Sequence, residues 1–429
     1  MILRRATPAD AEPLAKFNAE MHINPGEEPN EAIAQWTRDL MAGTHPTFPP
    51  EDFMVVEDTR NGAIVSALNH ISQRWSYGSI EFAVGRPELV ATHPDYRRRG
   101  LVRAQMEMSH QWSVERGEVL QVITGIPWYY RQFGYEMGLE HAGYRAGYLP
   151  HIPKLEESQE ESYHIRPATQ DDLSFIAECY KRGMGRYLLS TVRDDALWEY
   201  ELQGRSPISE PTVHLCVIEK DGEVVGLLAH QLRLWGPTLS VRAYELKPGI
   251  SWLAVTPTVL RYLKKTGEAY HAEEGKEPFG AFIFFLGTEH PVYQAIPELL
   301  PRKRDPYAYY VRVPDVPGFL RLITPVLEQR LAESVAVGHT GELLLNFYRS
   351  GVRLVLEQGK LTAIEPWQPM PDDIGHAGFP DLSFLQLLFG YRSMEELRHF
   401  YADCWAEGDN FVLLSILYPK QPSYTWAIS

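Results

Sequence analysis

"PELVATHPDYRRRGLVRAQMEMSHQW" spans residues 87–112. Its first part, Pro87 to His93, has the apolar and β-branched content of a buried strand, and Pro94 ends it. From Gly100 onward Leu101, Ala104, Met108 and Trp112 recur at helical spacing until Gly117. Arg97 to Gly100 are therefore the corner between a strand and a helix. Three arginines at a helix entrance are unfavourable by themselves. The N-terminus carries a partial positive charge, and each cation beside it costs roughly 0.3–1 kcal/mol. An anion changes that balance. The free N–H groups of the corner point outward, and a glycine lets the anion approach closely. A pyrophosphate would satisfy the N–H groups and the arginines together.

The rest of the chain narrows the choices. It has 429 residues, 44% hydrophobic and 23% charged, which predicts two or three ordered domains. Lys and Arg number 41 against 56 Asp and Glu, a net charge of −15. That balance argues against nucleic-acid binding by counterion release and suits cationic substrates. Cys179, Cys216 and Cys404 are widely separated and odd in number, so neither a disulfide framework nor a CxxC metal pair can be drawn. No metal constellation, P-loop or G-x-S-x-G elbow occurs, and no metal is expected. "MILRRATPAD" lacks the apolar core of a signal peptide, and "AFIFFLG" (281–287) is too short to cross a bilayer. A soluble, cytoplasmic protein is expected, with no membrane and no nucleic-acid partner.

Internal similarity sets the domain plan. "LRRATPADAEPLAKFN" (3–18) and "IRPATQDDLSFIAECY" (165–180) each read as a strand, a Thr N-cap before acidic residues, and an amphipathic helix. "FMVVEDTRNGAIVSAL" (53–68) and "HLCVIEKDGEVVGLLA" (214–229) each read as strand, Gly turn, strand. Two similar domains follow, 1–150 and 151–312, joined through the polar run "KLEESQEESYH" (154–164). After "VRVPDVPG" (311–318) the pattern changes. "GELLLNFYRSGVRLVLEQGKLTAIEPW" (341–367) reads as strands, and "LSFLQLLFGYRSMEELRHFY" (382–401) as two helices hinged at Gly390, the second opened by a capping box at Ser393. The region 313–429 is thus a third, α+β domain.

The corner Arg97-Arg98-Arg99-Gly100-Leu101-Val102 resembles the pyrophosphate loop of GNAT acyltransferases, Arg/Gln-x-x-Gly-x-Gly/Ala, with valine in place of the last small residue. The order of the three regions is similar to the Eis (enhanced intracellular survival) branch of that superfamily. That implies an α+β fold class: two tandem GNAT-like mixed-sheet domains, the first catalytic and the second degenerate, then a sterol-carrier-protein-like domain that "LLFGYRSMEEL" (387–397) echoes. It implies acetyl-CoA as co-substrate, a small-molecule or peptide amine as acceptor, and a homo-oligomer, trimer or hexamer. Backbone groups of Val90, Ala91 and Thr92 would pair with the pantetheine arm. Arg98, Arg99, Gly100, Leu101, Val102 and Arg103 would cradle the pyrophosphate, with Gly125 and Ile126 lining the thioester gap. In the second repeat "WLAVTPTVLRYLKKTG" (252–267) keeps a proline after a strand but has lost the arginines and their glycine, so it should not bind coenzyme A this way.

Acetyl transfer needs a neutral amine, a stabilised oxyanion and a proton for the departing thiolate. GNAT enzymes place a donor tyrosine four residues before a Gly-aromatic pair. Gly134-Tyr135 is that pair, so Tyr130 matches, and a phenol with pKa near 10 is protonated at neutral pH. The resemblance implies a C-terminal carboxylate as base, here that of Ser429, towards which the reading leans. Glu88 is the local alternative, expected to share a strand face with Val90 and Thr92, and it acts directly or through water. His70 and His93 read as structural histidines. The apolar set Phe384, Leu387, Leu388 and Phe389 reads as helix packing, with a lipid tunnel as the alternative. A non-catalytic acyl-CoA sensor or scaffold is the competing class of function.

Overall fold

The computed structural model describes residues 1–156, 158–274 and 278–426. β1 (Ile2–Arg5) turns into α1 (Ala11–Met21) through a capping box between Thr7 and Asp10. α2 (Glu31–Met41) starts at Asn30, whose side chain accepts from the N–H groups of Ala32 and Ile33. β2 (Phe53–Asp58), β3 (Ala63–Tyr77) and β4 (Ile80–Thr92) form an antiparallel meander. α3 (Leu101–Glu115) crosses over, β5 (Leu120–Ile123) returns parallel to β4, and β6 (Glu136–His141) follows.

The plan then repeats. β7 (Tyr144–Tyr148) and β8 (His164–Pro167) lead into α4 (Leu173–Met184), β9 (Leu189–Val192) and α5 (Asp195–Glu199). β10 (Val213–Lys220), β11 (Glu223–Gln231) and β12 (Thr238–Leu246) form the second meander. α6 (Trp252–Glu274), β13 (Ala281–Phe284), β14 (Arg302–Arg304) and β15 (Tyr307–Arg312) complete it. The similarity reaches single bonds. Arg4 reaches both Asp10 in the first capping box and Glu57 on β2; Arg166 reaches both Asp172 in the second box and Glu219 on β10. The β10–β11 turn has Asp221 and Gly222 both left-handed, at φ 52° and 83°, the signature of a two-residue hairpin loop.

The two sheets exchange their closing strands. Among the described residues the first runs β1-β2-β3-β4-β5-β15-β6, with β9 beside β3, and the second β14-β7-β13-β12-β11-β10-β8. β15, encoded after the second repeat, thus sits between β5 and β6, while β7 follows the first repeat and pairs with β13 in the second. The third region has its own five-stranded sheet, led by Gly341–Asn346, Gly351–Glu357 and Lys360–Trp367. The capping box at Ser393 and Glu396 is present. Phe384, Leu387, Leu388 and Phe389 are buried in a core shared with Trp75, Val84 and Tyr309 of the first sheet, which explains them as packing residues. No described helix is long and apolar enough to cross a membrane.

Two sequence expectations change. The buried face of α3 is Gln105, Met106, Ser109, Trp112 and Ser113, not Leu101, Ala104 and Met108, which are half-buried. The sheet face beneath is polar. Ser66 donates to Gln105, and His70 bonds Ser109 and Glu118, so hydrogen bonding decides which stripe of the helix turns inward. Pro257 lies inside α6 rather than after a strand. The apolar run "WLAV" fits strand and helix equally, and a proline this near a helix start removes few hydrogen bonds.

Candidate active site

β4 and β5 pair in parallel only at Val84–Leu120 and Gly85–Gln121. Beyond that point β4 carries one extra residue. Ala67 and Asn69 of β3 oppose Ala91 and Glu88, and Leu89 takes a left-handed φ of 50° to absorb the surplus. The bulge bends β4 away from β5, opening a wedge between Glu88–Thr92 and Thr124–Ile126. It also reverses the alternation of side chains. Glu88 does not share a face with Val90 and Thr92, as strict two-residue spacing predicts. Val90 packs with Met106 and Trp112 of α3, and Thr92 bonds Ser66 beside Gln105, whereas Leu89 packs with Leu14 and Phe17 of α1. Ala91 and Thr92 keep their ladder to β3, and on the β5 side β4 has no described partner beyond Gly85.

Tyr130 stands at the wedge. It lies on the 3-10 turn Tyr129–Phe133, between Trp128 and Gly134, both left-handed. Its ring is 5% exposed and packs edge-on against Tyr129 and Tyr310. Gly125 is required here. At φ 148° it tolerates a backbone that side chains avoid, and a Cβ there would sit 2.7 Å from Tyr130 Cε2. The Tyr310 hydroxyl donates to the Ile126 carbonyl at 2.9 Å and holds the same strand end. Burial, followed by the nearby Glu88 charge, pushes the Tyr130 phenol well above the usual tyrosine range, so it carries its proton at neutral pH.

Glu88 is 7% exposed and accepts a 2.7 Å bond from Arg86 Nε. Burial raises its carboxyl above the ordinary range, and Arg86 opposes that rise. Arg86, itself buried, faces the ring of Tyr309 on the exchanged β15. Asn69, opposite Glu88 in the ladder, is buried with neither amide atom hydrogen-bonded among the described residues. Arg86, Asn69 and Tyr310 escaped the sequence reading. Their roles come from cross-strand and exchanged-strand contacts that no local motif signals.

The arginine corner is exposed. Arg98 and Gly100 are left-handed, at φ 60° and 75°, and no side chain caps the start of α3. Arg97 donates to the Thr92 carbonyl, Arg99 to the Asp95 carbonyl, and Arg103 to Gln132. Leu101 and Val102 begin the helix half-buried, and Ile126 is 65% exposed at the far side of the wedge. His70, held by Ser109 and Glu118, and His93, which caps its own turn, have structural partners. Ser429 lies outside the described residues.

Residues 16–138 match the acetyltransferase (GNAT) domain family. The chain carries a GNAT acetyltransferase domain. The GCN5-related N-acetyltransferase of Kribbella flavida aligns over 100% of this chain and 98% of its own, with 15% identity and a TM-score of 0.65. That of Anabaena variabilis aligns over 98% of each chain, with 14% identity and a TM-score of 0.63. Eis1 of Mycobacterium abscessus aligns over 100% of both chains, with 13% identity and a TM-score of 0.60. At such identities the likeness is one of fold, and it covers the GNAT domain together with everything that follows it. No curated protein matches the sequence.

Proposed function

We propose that this protein transfers an acetyl group from acetyl-CoA to a primary amine of a small cationic molecule or a lysine side chain, by direct attack. The observation that carries the reading is Tyr130, a buried phenol against Gly125 in the wedge between β4 and β5. The site fits the co-substrate: an uncapped helix N-terminus at an arginine corner suits a pyrophosphate, and an unpartnered strand edge suits a pantetheine amide. Arg98, Arg99 and Arg103 with the N–H groups from Gly100 to Val102 take the first role. Val90, Ala91 and Thr92 take the second, and Gly125 and Ile126 border the thioester.

Three proton tasks remain. The acceptor arrives mostly as ammonium and loses a proton to a carboxylate, for which Glu88 is the described candidate; the carboxylate of Ser429 is the base implied by the resemblance. The amine then attacks the thioester carbonyl, Tyr130 gives its proton to the sulfur as the C–S bond breaks, and the second N–H proton, lost as the amide forms, returns through water to the Tyr130 oxygen. Asn69 and Arg86 keep Glu88 in a polar, charged setting. In the second sheet the matching gap is filled: past Val241–Phe284, where β12 carries an extra residue at Arg242, the Tyr424 hydroxyl lies 2.5 Å from the Arg242 carbonyl and 3.0 Å from that of Phe285. β12 and β13 pair over four successive residues, and Glu245 is engaged by Arg186 and His290. We assign that domain a structural role, and the third the sterol-carrier-like fold.

Thiol release from acetyl-CoA across polyamines, aminoglycosides and lysine peptides tests the reading. Turnover with at least one amine, lowered about 100-fold or more in Tyr130→Phe, is expected. Coenzyme A binding without turnover on the whole panel would favour an acyl-CoA sensor.

A further inference from the structure

Nothing in the reaction above uses the second meander, yet it gathers three metal-ligating side chains. His214 on β10 and His230 on β11 are directly opposed in the ladder, and Cys216, two residues along β10, shares their face. One ligand atom from each lies within 4.8 Å of the others. Cys216 and His230 are fully buried and His214 half-buried, so the cluster has one side nearer solvent.

Their orientation is that of a prepared site. The His230 Nδ1–H donates to the Gln231 carbonyl at 2.8 Å, so Nε2 carries the lone pair and accepts from the Tyr262 hydroxyl. Tyr262 of α6 closes the cluster from above. Its hydroxyl lies 3.1 Å from His230 Nε2 and 3.3 Å from Cys216 Sγ. His214 Nδ1 is buried with no hydrogen-bond partner among the described residues. A buried imidazole nitrogen without a partner is unusual, and the His214 ring centre lies 5.2 Å from that of His230.

We propose that His214, Cys216 and His230 bind a zinc-class divalent transition metal ion, with the Tyr262 oxygen in the fourth tetrahedral direction. A thiolate with two imidazoles is a borderline-soft set, and zinc imposes no d-electron geometry of its own. Around zinc, with bonds of about 2.0 Å to nitrogen and about 2.3 Å to sulfur, ligand atoms sit roughly 3.5 Å apart. Small side-chain rotations close the cluster from its present spacing. On binding, the Cys216 thiol and the Tyr262 hydroxyl each release a proton to solvent, the imidazoles bind neutral, and the centre carries no net charge. A search for CxxC spacing misses it, because the ligands are a His-x-Cys on one strand and a His on the next.

The full-length protein, stripped with a chelator and dialysed, is titrated with Zn²⁺ against a chromophoric competitor and with Co²⁺ as a spectroscopic probe. One equivalent is expected, with a thiolate-to-cobalt charge-transfer band. Cys216→Ser removes the band, and Cys216→Ser and His230→Ala each weaken zinc binding by about 100-fold or more, since even second-shell losses reach that size. Cys179→Ser and Cys404→Ser, at remote buried thiols, leave both unchanged. Circular dichroism establishes that each variant is folded. Absent stoichiometric binding, a cobalt spectrum without the thiolate band, or equal affinity in folded Cys216→Ser overturns the proposal.

Discussion

At the residue scale the proposed reaction asks opposite tasks of two buried groups. Tyr130 must keep its proton until sulfur leaves, and its environment does that. Tyr130→Phe should lower kcat by about 100- to 10,000-fold, the usual range for an acid-base group, with coenzyme A affinity kept. An unchanged kcat would remove its role. Glu88 must be deprotonated to act. Its carboxyl is raised by burial and restrained by Arg86, so the acidic limb of the kcat profile should lie above the ordinary carboxylate range. Arg86→Gln removes the restraint and should move that limb to higher pH. If Ser429 is the base instead, residues added after it lower kcat, while Glu88→Gln is mild.

At the scale of elements, the arginine corner and the two capping boxes make separable predictions. Arg98→Ala with Arg99→Ala should weaken coenzyme A binding about 100-fold, at roughly 1.5 kcal/mol for each charge-assisted contact. Arg261→Ala in the second repeat should leave it unchanged, because Arg261 already bonds Glu161 at 2.7 Å. Equal losses by calorimetry would mean that both repeats bind. The capping boxes concern stability. Bonds from Arg4, then from Thr7, hold the Asp10 carboxyl down at about 2, and Asp172 is lowered by Arg166 in the same way. A depressed carboxylate stabilises the fold above its unfolded pKa, near 4, and that contribution fades as pH falls towards about 2. Acid unfolding of Arg4→Met should lose part of this dependence.

The whole molecule is tied together by pieces that leave their own repeat. β15 supplies Tyr309, Tyr310 and Val311, all fully buried, to the first sheet. A fragment ending at residue 150 therefore exposes the facing edges of β5 and β6, and it should not fold cooperatively when followed by circular dichroism. A cooperative melt from that fragment would show the exchange to be dispensable. The chain's last described stretch adds a second tie. Trp426 is buried against Tyr180 and Trp198, and the Arg193 guanidinium lies 4.7 Å from both indoles. Among the described residues Glu201 is the acid that pairs with Arg193 and Arg205 there, with all three side chains at most 1% exposed. Glu201→Gln leaves buried arginines uncompensated and should cost about 3–5 kcal/mol in denaturant unfolding. A loss below about 1 kcal/mol would contradict that account.

The amino-acid sequence by itself determined the repeated strand-cap-helix units, the hairpins, the corner of arginines and the third region, because each is written in local periodicity, caps and turn residues. It also singled out Tyr130 and Glu88 as candidates by position. Tertiary structure decided the rest. Which face of α3 turns inward depends on the polar side chains of β3 beneath it, and the face of Glu88 depends on one extra residue in β4. The wedge exists because that bulge parts β4 from β5. Strand exchange is a pairing between distant segments, and no local pattern encodes which distant segment a strand will meet; the His214–Cys216–His230 cluster lies across one hairpin, but the register that opposes its histidines and the Tyr262 hydroxyl that closes it come from the folded sheet and α6.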